Sequence, residues 1–272
     1  MKSKKNILIT GAFGGLGLAL IDLLIKDNWC IYACDIAPII PEKYKNHSQV
    51  IPLMLDVTNK YAIKKTFEII SKKTNKLDAI VHTAGILEVG SMVEIPIEKI
   101  QRILDVNLLG VYQVNKIFLP LILKSKGRIL ILSSETGKQT AAPFNGAYAL
   151  SKYALEAYSD ALRRELSFYD IKVVKFQPGA FKTKMTKQVE EYFLNAENNS
   201  VLFKKNISKG SSYLPKVYQN ANDPKILAKI IQKALTAKNP KTTYAVKQDF
   251  LRNFLEYLPV KWADKLIKRV LS

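Results

Sequence analysis

Two side chains in the run Tyr148-Ala149-Leu150-Ser151-Lys152 could together carry proton-transfer chemistry. Residues four apart on a helix lie on one face, so the phenol of Tyr148 and the ammonium of Lys152 are within mutual reach. A nearby cation favours the phenolate, so the sequence predicts that the pKa of Tyr148 falls from its usual value of about 10 toward neutrality. Such a tyrosine can exchange a proton with a substrate oxygen. The pair alone is not specific, because Lys-rich helices contain it by chance.

A glycine-rich turn lies near the start of the chain. Gly11, Gly15 and Gly17 follow the apolar run 7–9 and open into the helix-like run 18–21. Without Cβ atoms a phosphate can approach the backbone closely, and the dipole of the following helix favours its negative charge. The turn therefore predicts a pyrophosphate site, with a simple reversal of the chain as the alternative.

An acidic residue stands where a dinucleotide-binding unit needs one. Asp35 ends the second apolar run, about twenty residues after the glycines. A carboxylate there accepts hydrogen bonds from the ribose hydroxyls and repels a 2′-phosphate. No Lys or Arg lies between Gly11 and Gly17, or directly after Asp35, to attract that phosphate. The sequence predicts NAD in preference to NADP.

Together these motifs resemble those of the short-chain dehydrogenase/reductase family, over about the first 185 residues, and in particular its hydroxysteroid and retinol dehydrogenase-like members. The resemblance implies a catalytic set of Asn107, Ser134, Tyr148 and Lys152. It also implies a set of residues that contact the cofactor along the whole motif series: Thr10, Gly11, Phe13, Gly15, Leu16, Gly17, Asp35, Asp56, Val57, Ala84, Gly85, Tyr148, Lys152, Pro178, Gly179, Phe181 and Thr183.

The chain departs from the family pattern at two places. The family's Asn-Asn-Ala-Gly is His82-Thr83-Ala84-Gly85 here, so both asparagines are replaced at this point of the cofactor site. We interpret His82 as a core histidine with its hydrogen bonds satisfied. The interval from the family serine to Tyr148 is one residue longer than usual, so Ser133 is an alternative to Ser134. We prefer Ser134, because its place before Glu135-Thr136-Gly137 matches the Ser-x-x-Gly pattern of the family.

Composition limits the partners and the location of the protein. The chain has 272 residues, 48% of them apolar, and a formal charge of +19, but only six arginines, and its lysines are scattered. We interpret the excess of positive charge as solvated lysine, which argues against a nucleic-acid partner. An anionic membrane surface is an alternative that we do not favour.

Cys30 and Cys34 lie on one predicted strand with their Cα atoms about 13 Å apart, which is too far for a disulfide. We expect no metal site, and with no apolar stretch of about 18 residues we expect a cytoplasmic protein.

Apolar strand-like runs alternate with helical patterns, which is typical of a parallel sheet covered on both faces. The sequence predicts an α/β fold with a doubly wound, Rossmann-like parallel sheet of about seven strands, forming one domain over 1–272. Strands are predicted at 7–10, 31–35, 50–55, 78–82, 128–133, 172–177 and 242–246. Helices are predicted at 15–27, 59–73, 97–124, 148–168 and 223–237.

The last third has two segments with weaker patterns. Residues 184–220 have no clear periodicity and stand where the family has its substrate lid. Their aromatic side chains suggest an apolar substrate, although they could equally pack the lid onto the domain. Residues 247–272 form an amphipathic, basic helical tail. Such a tail can lie on a membrane, but we favour packing on its own domain or on a neighbouring subunit.

The functional hypothesis is an oxidoreductase that moves a hydride between NAD and a lipophilic secondary alcohol or ketone of steroid, retinoid or acyl type. Tyr148 would exchange the proton, Lys152 would stabilise the phenolate and hold the nicotinamide ribose, Ser134 would bind the carbonyl and Asn107 would order a water. The family also implies a homodimer or homotetramer. Two alternatives are an NAD-binding regulator without turnover and a peripheral membrane or polyanion-binding protein.

Overall fold

The computed structural model describes residues 4–36, 40–213 and 219–272. Within them, seven parallel strands form one sheet in the order β3-β2-β1-β4-β5-β6-β7, so the doubly wound fold is confirmed. The strands lie within about two residues of the predicted positions: β1 (Lys5–Thr10), β2 (Trp29–Asp35), β3 (Val50–Met54), β4 (Ala79–His82), β5 (Arg128–Leu132), β6 (Lys172–Pro178) and β7 (Thr243–Val246).

The sheet places the motif residues at one edge. β1 pairs with β2 on one side and with β4 on the other, so the direction of winding reverses beside β1. A crevice opens at such a reversal, outside the carboxyl ends of the strands. The glycine turn after β1, Asp35 at the end of β2 and Thr83 after β4 therefore meet there.

Alternation of side chains along the strands builds a core on each face of the sheet. Ile7 and Ile9 of β1 face a cluster that includes Leu20 of the first helix, whereas Leu8 faces a second cluster that includes Phe118. Both clusters are fully or nearly fully buried. Successive side chains of a strand point to opposite faces, and apolar residues at every position of a strand are the pattern of a sheet covered on both sides.

The helices that cover the sheet agree with prediction within about three residues. The first two long ones end earlier than expected, and the helix that carries Tyr148 begins at Gly146. The bounds are α1 (Gly15–Leu24), α2 (Glu42–Lys45), α3 (Lys60–Ser71), α4 (Ile97–Leu104), α5 (Gly110–Ser125), α6 (Gly146–Ser167), α7 (Lys184–Lys187), α8 (Val189–Asn199), α9 (Lys204–Ser211), α10 (Pro224–Thr236), α11 (Phe250–Leu255) and α12 (Val260–Leu271).

The predicted helix 97–124 is interrupted by a turn of π-helix at Asp105–Leu109, between α4 and α5. The whole span Ile97–Ser125 is long and apolar enough to cross a membrane by length and hydropathy. Its apolar side, however, packs into the second core cluster through Val114, Phe118 and Ile122. We therefore treat it as a core helix of the domain.

Two segments have more structure than the sequence indicated. Where no periodicity was evident, α7, α8 and α9 occupy much of residues 184–211. The part of the predicted lid at 214–218 lies outside the described residues. The tail is two helices rather than one, because Pro259 ends the first segment and stands at the N-cap of α12. Proline lacks the N–H that a continuing helix would need.

Candidate active site

The glycine turn is shaped by close backbone contacts. Gly11 has φ of 65°, and a Cβ on it would lie 2.6 Å from backbone atoms of Ala84. A Cβ on Gly17 would lie 2.5 Å from the carbonyl oxygen of Ala12. Side chains at both positions would therefore push the turn away from β4 and from α1. The start of α1 has no side-chain cap, so its first N–H groups are available to an anion.

A groove of about 880 Å³ runs along this edge of the sheet. Asp35 lies in it, and its Oδ2 accepts a hydrogen bond of 2.9 Å from the N–H of Phe13 in the glycine turn. Asp56 also lines the groove and accepts 2.8 Å and 2.7 Å hydrogen bonds from the N–H and hydroxyl of Thr58. An anion-binding helix start, a glycine cradle and an acidic residue in one groove fit a dinucleotide.

Not all predicted cofactor residues line this groove. Those that do are Gly11, Phe13, Asp35, Asp56, Val57, Ala84 and Gly85. Thr10 is buried beneath the turn and Phe181 is buried in the core, while Leu16 packs beside the first core cluster. Thr183 caps α7 and stands against Gly15, and Gly179 lines a different cavity, described below. These residues support the turn or its surroundings rather than forming the groove wall.

The two replacements in the family's Asn-Asn-Ala-Gly segment each have a structural explanation. The hydroxyl of Thr83 donates 2.6 Å and 3.0 Å hydrogen bonds to the carbonyl oxygens of Thr10 and Gly11, which fixes the glycine turn to β4. His82 is buried, and its Nε2 lies 2.8 Å from Oδ1 of Asn115. Burial lowers the pKa of His82 to about 4 despite that hydrogen bond, so it is neutral at physiological pH. It is a core histidine with a partner, as interpreted from the sequence.

Asn107 lies in the π-helical turn, and its side chain is largely used by the protein. Its Oδ1 accepts from the N–H of Ile86 at 2.9 Å, and its Nδ2 donates to the carbonyl of Ile86 and to the hydroxyl of Ser151, each at 3.0 Å. An amide has two donors and two acceptor positions. One acceptor position of Oδ1 remains beyond these partners. Short π-helical turns are frequent at functional sites, because they rotate a side chain out of the regular helical register.

Tyr148 and Lys152 lie together on α6, as their spacing predicted. The Nζ of Lys152 is 5.5 Å from the centre of the Tyr148 ring and donates a 3.1 Å hydrogen bond to the carbonyl of Leu132. A Cβ on the groove residue Gly85 would lie 3.9 Å from this Nζ. Lys152 therefore stands between the groove and the tyrosine.

The expected acidity of Tyr148 is wrong for the chain without cofactor. Burial raises the pKa of Tyr148 to about 12, and the hydrogen bond with Ser134 opposes this only in part. Burial also lowers the pKa of Lys152 to about 8. Desolvation disfavours the charged form of each group, and it outweighs the hydrogen bond of Tyr148 with Ser134 and the attraction of Lys152 to Glu156. Without cofactor, the protein therefore holds the protonated phenol of Tyr148 beside the desolvated ammonium of Lys152.

The two candidate serines occupy different environments. Ser134 shares a cavity of about 820 Å³ with Tyr148, and its Oγ accepts a 3.2 Å hydrogen bond from the N–H of Thr136. The Oγ of Ser133 is buried, without a hydrogen-bond partner among the described residues, and lies under Gly137. Only Ser134 is placed to touch a molecule in that cavity.

This cavity is separate from the groove but adjacent to it, because Ile86 lines the groove and the next residue, Leu87, lines the cavity. Its walls come from the loop before α6, from α7 and α8, and from the segment 247–252 that leads into the tail. Glu135 lies in the same wall of the cavity. Burial raises the pKa of its carboxyl group, and the 2.6 Å hydrogen bond that it accepts from the N–H of Asp249 opposes this rise.

Sequence reasoning missed several residues of the site. Ser151 connects two of the predicted catalytic residues, because its hydroxyl donates a 2.8 Å hydrogen bond to the carbonyl of Tyr148 and accepts one from Asn107. Its place beside Lys152 in the same run was the available signal. Glu135 follows directly after Ser134, whereas Asp249 and Arg252 belong to a segment without a recognisable motif.

A Rossmann-type sheet with a dinucleotide groove and an adjoining Ser-Tyr-Lys site defines a nicotinamide-dependent oxidoreductase. Residues 5–192 match the family model for short chain dehydrogenases. The chain is 32% identical to a probable short-chain type dehydrogenase/reductase of Helicobacter pylori, over 97% of this chain and 96% of that protein. It is also 32% identical to estradiol 17-beta-dehydrogenase 2 of Rattus norvegicus, over 97% of this chain and 74% of that one.

Solved structures agree in fold. A short-chain dehydrogenase from Streptomyces avermitilis superposes with a TM-score of 0.79 at 21% identity, covering 100% of both chains. The structure of ElxO with NADP bound has a TM-score of 0.70 at 24% identity, over 90% of this chain and 96% of that one. The chain belongs to the short-chain dehydrogenase/reductase family. It is an oxidoreductase that acts on CH–OH groups and resembles the retinol and hydroxysteroid dehydrogenases of that family.

Proposed function

We propose that this enzyme transfers a hydride between NAD(H) and a lipophilic secondary alcohol or ketone, with Tyr148 exchanging the proton. One observation carries the proposal. The phenol of Tyr148, the hydroxyl of Ser134 and the ammonium of Lys152 meet where the 880 Å³ groove adjoins the 820 Å³ cavity. That is the position in which groups must stand to act on a substrate oxygen beside a bound nicotinamide.

Each residue has a role that its surroundings support. Bound NAD(H) supplies or accepts the hydride. Tyr148, protonated in the free chain, gives its proton to the carbonyl oxygen during reduction and removes one during oxidation. Lys152 stabilises the phenolate that remains, Ser134 donates a hydrogen bond to the same oxygen, and the spare acceptor position of Asn107 holds a water.

The preference for NAD over NADP rests on Asp35. Its carboxylate lines the groove beside the glycine turn, where it would accept hydrogen bonds from ribose hydroxyls. A 2′-phosphate at that place would meet like charge. NADP is the cofactor bound in ElxO; for this chain we propose at least a tenfold preference for NAD(H) in kcat/KM.

An apolar substrate fits the composition of the cavity wall. Beyond Ser134 and Tyr148, the wall includes a run of apolar side chains: Leu87, Val89, Pro143, Met185, Val189 and Phe193. Met185 through Phe193 belong to the segment 184–220, which we propose as the substrate lid. The similarity to an estradiol dehydrogenase also supports a steroid-like, retinoid or acyl substrate.

The proposal is tested by turnover of NADH and NADPH with a panel of steroids, retinoids, acyl ketones and short alcohols. Replacing Tyr148→Phe keeps the ring and removes the exchangeable proton, so we expect kcat to fall by about two to three orders of magnitude with little change in NADH affinity. Tyr153→Phe is the matched control, since this tyrosine lies on the same helix but donates to the carbonyls of Lys138 and Gln139. A folded, NADH-binding Tyr148→Phe protein with more than about a tenth of normal turnover would refute the mechanism.

Assembly and location remain proposals. Exposed apolar side chains on α5 and α6, among them Tyr112, Leu123 and Leu150, support a homodimer or homotetramer formed through these helices. A cytoplasmic location stays a prediction from the sequence.

A further inference from the structure

The C-terminal tail is anchored to the domain at several points. The N–H of Asp249 donates to Glu135, and Gln139 donates to Asn253 at 2.7 Å. Further along, the stripe of α12 formed by Ala263, Ile267 and Leu271 is half-buried, and Asn206 of α9 donates a 2.7 Å hydrogen bond to the carbonyl of Leu271. The tail is therefore held in one orientation on the domain.

Only part of the tail's apolar surface is covered by this packing. Trp262, Leu266 and Val270 repeat every four residues, so they form a second stripe beside the packed one, and Trp262 is 67% exposed. The segment before Pro259 also exposes apolar side chains. We call the exposed apolar residues of both helices and their junction the tail apolar surface: Phe250, Leu251, Phe254, Tyr257, Val260, Trp262, Leu266 and Val270.

Positive charge borders this surface. On α12, Lys261, Lys265 and Arg269 repeat every four residues along the side of the helix next to the Trp262 stripe. Residues 247–272 carry six basic and three acidic side chains, in a chain with a formal charge of +19. An exposed apolar stripe with tryptophan, flanked by Lys and Arg, is the composition of a helix that lies in the interface of an anionic bilayer.

Charge also argues against a second copy of the chain as the occupant. Two copies meeting through this surface would bring their basic borders together, and like charges at such a contact are unfavourable. A nucleic acid would satisfy the lysines but leave the apolar stripe in water. An anionic lipid surface satisfies both parts, because the acyl region takes the apolar side chains and the headgroups take the cations.

The tail apolar surface is continuous with the 820 Å³ cavity. Phe250 and Leu251 line that cavity and are also exposed on its outside. We propose that the tail apolar surface docks this enzyme onto anionic bilayers with the mouth of the cavity at the lipid surface. If the proposed lipophilic substrate is correct, docking lets that substrate enter from the bilayer; the docking itself does not depend on it.

The test is co-sedimentation of the full-length chain, without cofactor or substrate, with extruded vesicles. Phosphatidylcholine vesicles with and without about 30% phosphatidylglycerol are compared at about 150 mM salt, where surface charges more than about 8 Å apart are screened. We expect binding to the anionic vesicles and at least tenfold weaker partitioning to the neutral ones. Equal binding to both would overturn the assignment to an anionic surface, and absence of binding would overturn docking altogether.

Two variants locate the surface. Trp262→Ser/Leu266→Ser/Val270→Ser should reduce partitioning at least tenfold. Lys261→Gln/Lys265→Gln should reduce it about thirtyfold, at roughly 1 kcal/mol per lysine near the membrane. The matched control replaces three apolar side chains exposed elsewhere, Met54, Tyr61 and Phe168, with Ser. All variants should keep the wild-type melting temperature, because the replaced side chains are exposed.

The proposal requires that the triple variant of the tail loses vesicle binding and that the control variant keeps it. If the control loses as much binding as the triple variant, the tail is not the docking surface. The wild-type chain could instead fail to bind vesicles while the triple variant has a lower molecular mass in solution than wild type. In that case the tail apolar surface is an interface between copies of the chain, and the proposal is wrong. Turnover of short, water-soluble substrates by the triple variant tests the proposed function separately.

Discussion

The two buried lysines Lys152 and Lys175 should respond in opposite ways to replacement by methionine. Lys152 is 5% exposed, and its Nζ donates a hydrogen bond to the carbonyl of Leu132. Lys175 is 6% exposed, but its Nζ forms ion pairs with Oε2 of Glu156 at 2.8 Å and with Oδ2 of Asp160 at 3.0 Å. Burial would lower the pKa of Lys175, but its hydrogen bonds and charge pairing with these carboxylates outweigh burial and raise it.

The magnitude for Lys152 follows from its pKa, which falls from 10.5 to about 8. At about 1.36 kcal/mol per unit, the charged form destabilises the folded state by roughly 3 kcal/mol. Lys152→Met removes this penalty but leaves the Leu132 carbonyl without its partner, which costs about 1–2 kcal/mol. We expect a free energy of unfolding about 1–3 kcal/mol higher than wild type at pH 7, accompanied by loss of turnover.

The pH dependence provides an internal check. The folded pKa of Lys152 lies below the unfolded one, so the penalty is complete below about pH 8 and disappears as pH rises toward 10.5. The advantage of Lys152→Met should therefore shrink over that interval. Lys175→Met should instead destabilise by about 3–5 kcal/mol at pH 7, because it leaves the largely buried carboxylate of Glu156 without its ion-pair partner, whereas Asp160 keeps a 3.6 Å contact with Arg163.

Urea unfolding at pH 7 and pH 9.5 measures both effects, at one protein concentration and without cofactor, since association and ligands shift apparent stability. The reasoning would be refuted if Lys152→Met were no more stable than wild type at pH 7, or if its advantage were the same at both pH values.

The remaining predictions concern the site. Ser134→Ala should lower kcat at least tenfold with little effect on NADH affinity. Ser133→Ala should change kcat less than twofold, because Ser134 and not Ser133 lines the cavity. If steady-state kinetics gave equal losses of kcat for the two variants, the choice of Ser134 as the functional serine would be wrong. Asp35→Asn keeps an acceptor for the N–H of Phe13 but removes the charge, so the ratio of kcat/KM for NADH over NADPH should fall at least tenfold. An unchanged ratio, or a wild-type enzyme that prefers NADPH, would contradict the role given to Asp35.

Much of the fold could be predicted because its signals are local. Apolar runs bounded by turns gave every strand of the sheet to within about two residues. The glycine turn was equally legible, since the close approach of Gly11 to Ala84 admits no side chain. Ser134 could be preferred over Ser133 from its neighbours alone, and the structure places Ser134 in the cavity with Tyr148.

Features that depend on tertiary contacts escaped the sequence. Helical spacing shows that Tyr148 and Lys152 are close, but it carries no information about desolvation, which reverses the direction expected for the pKa of Tyr148. The π-helical turn around Asn107 has no marker residue in a helical pattern. The tail's exposure was also hidden, because an amphipathic helix looks the same whether its apolar side is covered or, as at Trp262, left open.

The order of the strands has a consequence for synthesis of the chain. β1 emerges first, and every later strand pairs with a strand that has already been made: β2 and β4 with β1, β3 with β2, and then β5, β6 and β7 in succession. The sheet can therefore grow outward in the order of translation, without waiting for a distant partner.

The two halves of the site consequently mature at different times. The wall of the groove is complete by Val106 apart from Lys184, whereas the cavity also needs Arg252 and the residues before it. At about 5–20 residues per second, these points are separated by roughly 7–30 s of translation. Most of the groove is therefore made before the cavity, and a dinucleotide that bound there would stabilise whatever has already folded.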